Sequence, residues 1–336
     1  MMYLGIDHHK HYSQVVVMDK DGITHLNRKI NNDKESIETL KRRFNQPIKA
    51  VIEAGHNWGK MYDLLEESNI ATEVAHPLKV RAIAEARIKT DSIDAKTLAH
   101  LLRTDLIPSV HVPSKEVREQ KNLLRYRLWL VRLQTMTKNR IYNVLDRNSI
   151  DTKGLNIFAK KTREQIKNLS LKDIDKKLLK DHYDILEVIE QHIKDTESWI
   201  DSSLKDNQYI AILDSMPGFA KILSALAALE IDNVERFAHP GKFASYCGLI
   251  PSTYSSGGKT YHGRLICTCN SYLKYAFIEA AWASIRSSTY CRSCYEKIKE
   301  SKGSNVAIVS LARRLSQIAY KCLKENRKYE ERPYLQ

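Results

Sequence analysis

The sequence predicts a mixed α/β domain at the N-terminus, followed by a helical coiled-coil arm and a mostly helical C-terminal domain. Strand-like and helix-like segments alternate in the first part of the chain. Beyond Pro108 and Pro113, apolar residues recur at helical spacing over long stretches. The chain has 336 residues, of which 43% are hydrophobic, so it is long enough for two or three domains with ordinary cores. We place the domains at residues 1–110, 111–206 and 207–336.

The first domain begins with three predicted strands, of which the second and third form a hairpin. These strands lie at residues 3–7, 14–18 and 23–30, with the turn at 19–22 (DKDG). The elements that follow are helices at 33–44, 58–68, 78–87 and 91–106, with strands at 48–53 and 72–75. Thr90 or Asp91 caps the last helix. A hairpin followed by this alternation predicts a mixed sheet with helices on its faces.

The second domain is predicted as an antiparallel coiled-coil arm. A long helix at 114–147 and a charged helical segment at 158–205 are joined near 148–156. Six basic residues and no acidic residue lie within 121–140. This run favours contact with nucleic acid over the alternatives, a solvated helical hairpin or a dimer-forming arm. The residues that we expect to contact nucleic acid are Lys121, Arg125 and Arg132, with Lys259 and Arg264 from the last domain.

The last domain is predicted as helices with two distinctive turns. The segment 210–215 leads into 216–219 (MPGF), and a helix at 220–230 follows. A Pro-Gly turn that enters a helix resembles a helix-hairpin-helix element, whose turn amides can face a phosphate. The other features are an apolar segment at 243–248, a glycine-flanked loop at 254–259 and helices at 270–284 and 306–323.

Positive charge is concentrated in the second and third domains. The net charge is +14, and the three predicted domains carry +1, +5 and +8 in chain order. Lys and Arg bind polyanions by displacing counterions from phosphates, so this surplus predicts a nucleic-acid partner. A basic protein without such a partner is the alternative.

Apolar runs and cysteines indicate where the protein resides. No run approaches the roughly 20 residues of a membrane span and no signal peptide opens the chain, so we expect a cytoplasmic protein with no membrane partner. Six cysteines in this length do not make a disulfide framework. Cys267, Cys269, Cys291 and Cys294 offer four ligands for tetrahedral zinc, although the free use of cysteine elsewhere favours no zinc.

Four acidic residues in the first domain are the main candidates for a functional site. Asp7 and Glu53 each end an apolar, strand-like run. Asp91 and Asp94 open the last predicted helix, three residues apart and therefore on one side of it. Carboxylates that converge on a sheet edge bind hard divalent cations, so the pattern predicts a Mg²⁺-dependent enzyme acting on nucleic acid. Alternatively, Asp91 caps the helix and Asp94 is a solvated acid. The carboxylates at buried strand ends weigh against that, since they are unfavourable unless paired or metal-bound.

Other side chains with reactive chemistry lie near these acids or in the glycine-flanked loop. His8 and His9 follow the first acid and can border a metal site, although we expect them to face solvent. Ser255 or Ser256, with nearby cationic groups, offers a nucleophile for a phosphodiester, and the alternative is a simple flexible turn. The nearby groups are Lys259, His262 and Arg264.

These residues resemble those of one family, the DEDD transposases of insertion sequences. Its three acidic motifs are similar to segments 5–10 (GIDHHK), 51–54 (VIEA) and 89–95 (KTDSIDA). Its C-terminal transposase domain is similar to segments 216–219 (MPGF), 243–251 (FASYCGLIP) and 254–257 (YSSG). The family's members are serine recombinases that use a bridge RNA, and pilin-gene invertases are relatives. The resemblance spans nearly the whole chain.

The resemblance implies a fold and a set of catalytic residues. The first domain would have a ribonuclease-H-like, RuvC-like fold, which places its carboxylates on the first strand, the fourth strand and a late helix. The residues that would bind Mg²⁺ are Asp7, Glu53, Asp91 and Asp94. Ser256, directly before the glycine, would attack DNA and form a covalent phosphoserine link, with Ser255 as the alternative nucleophile. Strand exchange without net hydrolysis would follow.

The resemblance also implies partners. A non-coding bridge RNA would specify donor and target DNA by base pairing, so the protein would recognise backbone and shape more than sequence. The protein would form dimers or tetramers, in which the RuvC-like domain of one subunit meets the transposase domain of another. The chain departs from the family where Cys269 replaces a common glycine and Lys274 a common arginine. Lysine keeps the charge but lacks the bidentate fork of arginine.

Three other functions are compatible with the sequence. A RuvC-like nuclease or junction resolvase would use the carboxylates alone, with water as the nucleophile. A site-specific DNA invertase would share the recombinase chemistry but rearrange DNA within one molecule. A non-enzymatic binder would retain the fold without activity, and the complete set of four carboxylates disfavours it.

Overall fold

A computed structural model describes residues 1–55, 57–84, 90–204 and 207–331 of the chain. The chain forms two compact units, Met1–Val112 and Pro113–Gln336. The further division of the second unit into an arm and a C-terminal domain at residues 206 and 207 stays a prediction. Among the described residues, none of the helices is long and apolar enough to cross a membrane.

The first unit contains a five-stranded mixed sheet with the strand order β3-β2-β1-β4-β5. Its strands are β1 (Met2–His8), β2 (Tyr12–Met18), β3 (Thr24–Asn31), β4 (Ile48–Glu53) and β5 (Ala71–Ala75). The neighbours β1, β2 and β3 pair antiparallel, whereas β4 pairs parallel with both β1 and β5. The predicted hairpin is confirmed. Its turn is held by the Asp19 carboxylate, which accepts from the amides of Asp21 and Ile23 at 2.9 and 3.0 Å.

Helices cover both faces of this sheet. They are α1 (Lys34–Phe44), α2 (Trp58–Glu67), α3 (Pro77–Ile83) and α4 (Asp91–Arg103). Residues 85–87 of the predicted third helix lie outside the described residues. The predicted end of α4 at residue 106 is wrong, because Asp105 adopts a left-handed φ of 55° and the Leu106 amide bonds back to the Leu101 carbonyl.

Strand alternation divides the core of this unit between the two faces of the sheet. Leu4 and Ile6 of β1 pack on one side, in a cluster that includes Ile37 of α1 and Met61 of α2. On the other side, residues of β2 and β4 pack against α4 and α3. The odd-numbered residues of β1 face α4. Asp7 is one of them, so its position on the α4 side follows from the register of the core.

Gly5 sets the distance between β1 and α4. A Cβ at this position would lie 2.1 Å from the Ala95 carbonyl oxygen and 2.6 Å from the Ala99 amide nitrogen. Only glycine allows this close approach, and the facing helix residues are both alanines. The N-terminal turn of α4 is thereby brought to the end of β1 where Asp7 lies.

The second unit begins with the helices of the predicted arm, α5 (Lys115–Arg147), α6 (Lys160–Lys167) and α7 (Asp173–Ser203). Ser114, where the long helix was predicted to begin, is the N-cap of α5 and accepts from the Val117 amide. The helices α5 and α7 are antiparallel, since Arg127 pairs with Glu197 and the C-terminal end of α5 meets the start of α7. The prediction of one helix over 158–205 is wrong. The chain bends between α6 and α7, which lets Ile157 and Ile166 join an apolar cluster with residues of α5 and α7.

The rest of the second unit is mostly helical, as predicted. Its helices are α8 (Gln208–Asp214), α9 (Lys221–Ile231), α10 (Pro240–Tyr246), α11 (Ser271–Ser287), α12 (Thr289–Lys302) and α13 (Ser304–Lys324). Phe219, after the Pro-Gly turn, is buried against Phe277 of α11 with ring centroids 5.4 Å apart. The sequence did not predict α12, which begins at once after α11 because Ser288 ends one helix and caps the other.

A β-hairpin replaces the predicted loop at 254–259. Strands β6 (Pro251–Ser256) and β7 (Lys259–Leu265) pair antiparallel, with Ser256 opposite Lys259. Gly257 and Gly258 form the two-residue turn with φ values of 56° and 78°. Such a turn requires positive φ at both positions, which glycine adopts readily. The loop prediction therefore identified the turn but missed the strands on either side of it.

Candidate metal centre and serine hairpin

Asp7 and Glu53 lie at the ends of adjacent parallel strands. The last register pair of β1 and β4 is Ile6 with Ile52, so Asp7 and Glu53 follow on the two strands in parallel. Val51 packs on the α4 side of the sheet, and Glu53, two residues on, shares that side by alternation. Both carboxylates are half-buried. Their predicted positions at the strand ends are those in the structure.

The first turn of α4 brings Asp91 and Asp94 to the same region. Thr90, not Asp91, is the N-cap, and its hydroxyl accepts from the Ile93 amide at 3.2 Å. Asp91 is therefore left to make other contacts. Asp94 lies close enough to Asp7 for its charge to raise the pKa of that residue, although burial is the larger cause. The helix N-terminus is also a favourable environment for both acids.

His9 lies between two of these carboxylates. Its Nε2 atom is 3.2 Å from Asp7 Oδ2 and 3.3 Å from Asp91 Oδ2. Among the described residues, these three form the one group of at least three His, Cys, Asp or Glu side chains whose ligand atoms lie within 4.8 Å of one another. The expectation that His9 faces solvent is wrong for this nitrogen, which is buried although part of the ring is exposed. The signal in the sequence was its position two residues after a strand-end acid.

Tyr12 and Lys29 complete the surroundings of Asp91. The Tyr12 hydroxyl donates to Asp91 Oδ2 at 3.0 Å, and this hydrogen bond is the main cause that lowers the pKa of Asp91. His9 and Lys29 lower the pKa of Asp91 further. Lys29 Nζ lies 4.2 Å from the centroid of the Tyr12 ring. Sequence reasoning did not identify Tyr12, although strand alternation places it on the α4 side of β2.

A second group of polar residues fixes the turn that carries His9. His8 Nδ1 lies 3.0 Å from the Ser13 hydroxyl, which donates to Asn32 Oδ1 at 2.7 Å. The Asn32 side chain in turn donates to the His9 carbonyl at 2.7 Å, and the His9 amide bonds to the Tyr12 carbonyl. Burial, followed by the charges of His9 and Lys60, lowers the pKa of His8. The backbone on both sides of His9 is therefore held in place.

The donor set of this site fits a divalent metal ion. Four carboxylates at one end of the sheet supply the oxygen ligands that Mg²⁺ and Mn²⁺ prefer. Burial raises the pKa of Asp7, the charge of His9 opposes that shift, and the neighbouring acids Asp91 and Asp94 raise the pKa further, which is a repulsion that a cation would relieve. The buried Nε2 of His9 makes no hydrogen bond of acceptable geometry with any described residue. Three of the four predicted ligands are thus linked by contact or charge, and Glu53 shares their side of the sheet.

The hairpin of β6 and β7 presents both candidate serines at an exposed tip. Ser255 and Ser256 are both exposed, but their hydroxyls differ. The Ser255 hydroxyl lies 3.2 Å from that of Thr260 across the hairpin. No hydrogen bond of the Ser256 hydroxyl is present within the described part of the chain. Lys259 and Arg264 are exposed on the same hairpin, and His262 Nδ1 contacts Thr253 at 3.1 Å.

Two of the side chains predicted to contact nucleic acid instead make contacts within the protein. Lys121 is 9% exposed, and burial lowers its pKa while the nearby Glu230 opposes that shift. Arg125 donates to the buried Glu230 carboxylate at 2.7 and 2.8 Å and stacks on the Tyr272 ring. Arg132 is exposed on α5. The nucleic-acid role of all three stays a prediction, and the geometry favours Arg132.

The cysteine pairs show no metal-site geometry. Cys291 and Cys294 are buried in the core of the second unit, whereas Cys267 is exposed. They form no group of three close metal ligands in the described residues, among which only the acidic site of the first unit meets that criterion.

Comparison with known proteins yields two family matches and several distant relatives. A DEDD transposase profile of the IS110 group, described as a transposase, matches residues 4–150, and the profile "Transposase IS116/IS110/IS902 family" matches residues 210–296. A probable family 20 transposase of Pseudomonas aeruginosa is 24% identical over 264 residues, which cover 75% of this chain and 78% of the relative. The transposase for insertion sequence element IS1111A of Coxiella burnetii is 22% identical over 97% of this chain and 90% of the relative. An IS900 insertion element protein of Mycobacterium paratuberculosis is 30% identical over 42% of this chain and 36% of the relative.

Proposed function

The chain belongs to the IS110 family of DEDD transposases of insertion sequences, and from this premise we propose that it is a Mg²⁺-dependent, RNA-guided DNA recombinase with a serine nucleophile. A transposase is an enzyme that acts on DNA. The observation that carries the proposal is the convergence of acidic side chains from β1 and α4 around His9, at the end of the sheet where Glu53 also lies.

We assign a ribonuclease-H-like, RuvC-like fold to the first unit. Two features support this assignment. The strand order β3-β2-β1-β4-β5 combines an antiparallel hairpin with parallel strands. The candidate carboxylates lie on the first strand, the fourth strand and α4, the second helix after the last strand of the sheet.

The proposed metal ligands are Asp7, Glu53, Asp91 and Asp94. When bound, Mg²⁺ would stabilise negative charge that develops on the phosphodiester during strand cleavage. The chain's own part is to hold the ligands in place before the ion binds. Tyr12 orients Asp91 through a hydrogen bond, and the close contact of α4 with Gly5 fixes the helix that carries two of the acids.

Ser256 is the proposed nucleophile. Its Oγ would lose a proton and form a bond to phosphorus, while the bond from phosphorus to one deoxyribose oxygen breaks and that oxygen takes up a proton. The phosphodiester energy is retained in the phosphoserine link, so strand exchange can proceed by the reverse step with another DNA end and without net hydrolysis. The tight turn that exposes Ser256, and the contact that occupies Ser255, support Ser256 over its neighbour.

A bridge RNA and self-association complete the proposal. The RNA would select donor and target DNA by base pairing, which leaves the protein to bind backbones and shape. The net charge of +14 and its concentration beyond residue 110 support a polyanionic partner of this kind. We further propose dimers or tetramers, in which the carboxylates of one subunit act together with the serine of another.

Covalent trapping of DNA tests the proposal directly. Full-length protein would be incubated with RNA transcribed from the DNA flanking its gene, labelled donor and target DNA, and Mg²⁺, and then run on a denaturing gel. Wild type would be compared with Ser256→Ala, Ser255→Ala and Asp7→Asn, with EDTA as the metal-free control. We expect a protein-linked DNA band that is absent in Ser256→Ala, in Asp7→Asn and with EDTA, but present in Ser255→Ala.

Other outcomes of that experiment separate the alternatives. Cleaved DNA without an adduct, and full activity in both serine variants, would support a hydrolytic nuclease or junction resolvase. An adduct that forms equally well without the RNA would remove the RNA guide from the proposal. Products joined only within one DNA molecule would support an invertase.

A further inference from the structure

We propose that His9 is a nitrogen ligand of the metal centre, so that the site binds Mn²⁺ more tightly than Mg²⁺ by a margin that depends on this residue. The inference rests on the proposed metal centre and deepens it. It concerns a residue outside the four carboxylates and makes a statement about metal preference.

The distances around His9 match those between neighbouring ligands of one ion. Six ligand atoms at about 2.1 Å from an ion lie about 3.0 Å from their neighbours. Nε2 of His9 lies 3.2 Å from Asp7 Oδ2 and 3.3 Å from Asp91 Oδ2. Both separations come from residues on different elements, β1 and α4, which meet at the His9 ring.

The direction of the ring nitrogen argues against two ordinary hydrogen bonds. Nε2 is buried, and within the described residues it makes no hydrogen bond of acceptable geometry despite two oxygens at close range. The geometry therefore falls short of an ordinary hydrogen bond to either oxygen, although the closeness of His9 does lower the pKa of Asp7. A cation held jointly by the three atoms would satisfy it, because a lone pair on Nε2 can bind a metal when the ring is neutral.

The rest of the turn holds His9 in position before any ion binds. The Asn32 side chain donates to the His9 carbonyl at 2.7 Å, and the His9 amide donates to the Tyr12 carbonyl at 3.0 Å. The centroid of the His9 ring lies 4.9 Å from that of the Tyr12 ring, and the Tyr12 hydroxyl donates a hydrogen bond to Asp91. Ligands whose surroundings are fixed in this way lose little entropy on binding a metal.

The chemistry of the donor set leads to the predicted metal preference. Mg²⁺ prefers oxygen ligands and retains its water molecules, whereas imidazole nitrogen binds transition metals more readily. A site with carboxylates alone would discriminate weakly between Mg²⁺ and Mn²⁺. One imidazole ligand adds affinity for Mn²⁺ that Mg²⁺ does not gain to the same extent.

Spectroscopy on the unmodified sequence gives the most direct test. Full-length protein would be loaded with Mn²⁺, with natural and ¹⁵N-labelled histidine, and examined by pulsed electron paramagnetic resonance for coupling to a histidine nitrogen. We expect a coupling that changes with the isotope and is lost in His9→Gln. His11→Ala is the matched control, an exposed histidine of the same turn, and should retain the coupling.

Equilibrium binding of Mn²⁺ and Mg²⁺ provides the second readout, in wild type, His9→Ala, His9→Gln, His11→Ala and Asp7→Asn. We expect the His9 variants to bind Mn²⁺ at least about tenfold more weakly, with a much smaller change for Mg²⁺.

Unchanged affinity in both His9 variants and no nitrogen coupling, with binding lost in Asp7→Asn, would overturn the inference and leave the metal centre intact. Tighter metal binding in His9→Ala would also overturn it, since His9 would then act as a counter-ion that the metal displaces. Binding that survives Asp7→Asn would remove the proposed metal centre itself, together with the inference.

Discussion

The lack of a side chain at Gly5 determines where two of the four candidate carboxylates lie. Because α4 contacts the β1 backbone at this residue, the first turn of the helix is held near Asp7. A larger residue would move the helix outwards and carry Asp91 and Asp94 with it. Gly5 is thus part of the site's construction although it offers no chemical group.

We expect Gly5→Ala to lower both stability and metal affinity. The added Cβ would clash with the α4 backbone, and overpacking of this kind reduces the free energy of unfolding by about 1–3 kcal/mol. Urea unfolding and Mn²⁺ binding would measure the two effects. Gly55→Ala is the matched control, since its Cβ would meet only the Glu53 carbonyl at 3.9 Å and should change stability little. Equal stability of both variants would show that α4 can shift at no cost.

The positions of the four candidate carboxylates at strand ends and at a helix start were predictable from the sequence, whereas the contacts of His9 and Tyr12 with Asp91 were not. Strand ends and a helix start are local features, and the acids at those points are visible in the order of residues. The contact of His9 with Asp91 joins positions 82 residues apart and depends on how α4 crosses the sheet. The resemblance already favoured Ser256 over Ser255, and the cross-strand contact of Ser255 that supports this choice lies in a hairpin that was not predicted.

At the level of elements, the antiparallel arm of α5 and α7 is closed by a polar contact at one end. Asn148, the C-cap of α5, donates to Asp175 in the first turn of α7 at 3.0 Å, and Arg147 pairs with the same carboxylate. These hydrogen bonds, that of Asn148 first, lower the pKa of Asp175 below its ordinary value of 3.8. Burial opposes them only in part.

This contact predicts a pH-dependent contribution to stability. Because the folded pKa of Asp175 is depressed, its contribution is complete above the unfolded pKa of about 4 and is lost as the pH falls through the folded value. We expect Asp175→Asn to lower the melting temperature at pH 7, with a difference from wild type that shrinks below pH 4. Asp173→Asn, an exposed acid in the same helical turn, is the control. A difference that is constant from pH 7 to pH 3 would contradict the assignment.

A buried carboxylate links α5, α9 and α11 in the second unit. Glu230 at the end of α9 accepts from Arg125 of α5 and from the side chain of Asn270 at 2.8 Å. Asn270 is also the N-cap of α11, where its side chain accepts from two helix amides. The segment that follows the serine hairpin is therefore anchored to the arm by one acid.

We expect Glu230→Gln to lower the free energy of unfolding by about 1.5–3 kcal/mol, because the buried carboxylate accepts charge-assisted hydrogen bonds from the partly exposed Arg125 and a further bond from Asn270. Chemical denaturation would measure the change. Glu235→Gln is the control, since its partner Lys324 is at the surface and such pairs contribute little. A loss no larger than that of the control would mean that the Glu230 contacts add nothing to stability.

Sequence patterns predicted most of the elements but not how the charges of the arm are used. The run at 121–140 of α5 contains no acidic residue, but two of its arginines have acidic partners on other helices. Arg127 pairs with Glu197 of α7, and Arg125 pairs with Glu230 of α9. The missed helix α12 has few buried residues, among them two cysteines, so its apolar periodicity is weak. Pairing between distant elements cannot be derived from local composition.

For the whole molecule, the proposed recombinase has its carboxylates and its serine in separate compact units. If the carboxylates of one subunit act with the serine of another, two inactive variants should complement each other. We expect Asp7→Asn and Ser256→Ala to form no covalent DNA product alone, and to form it when mixed with RNA, DNA and Mg²⁺. Size measurements by mass photometry would show whether mixed oligomers form. Mixed oligomers without product would contradict catalysis between subunits.

The distribution of charge over the whole chain leads to a final prediction about nucleic-acid binding. Among the basic residues of α5, Arg132 and Arg140 are exposed, whereas Lys121 is buried and Arg125 is paired. Neutralising one cation that contacts a phosphate lowers the slope of log affinity against log salt by about 0.9. We therefore expect the double variant Arg132→Gln, Arg140→Gln to bind a labelled DNA duplex more weakly, with a slope lower by about two.

The control is Arg286→Gln, which changes an exposed arginine of α11 and separates a local contact from a change in net charge. An affinity and slope equal to those of wild type would exclude this face of the arm from the interface and leave the exposed cations of the serine hairpin, Lys259 and Arg264, as the next residues to neutralise.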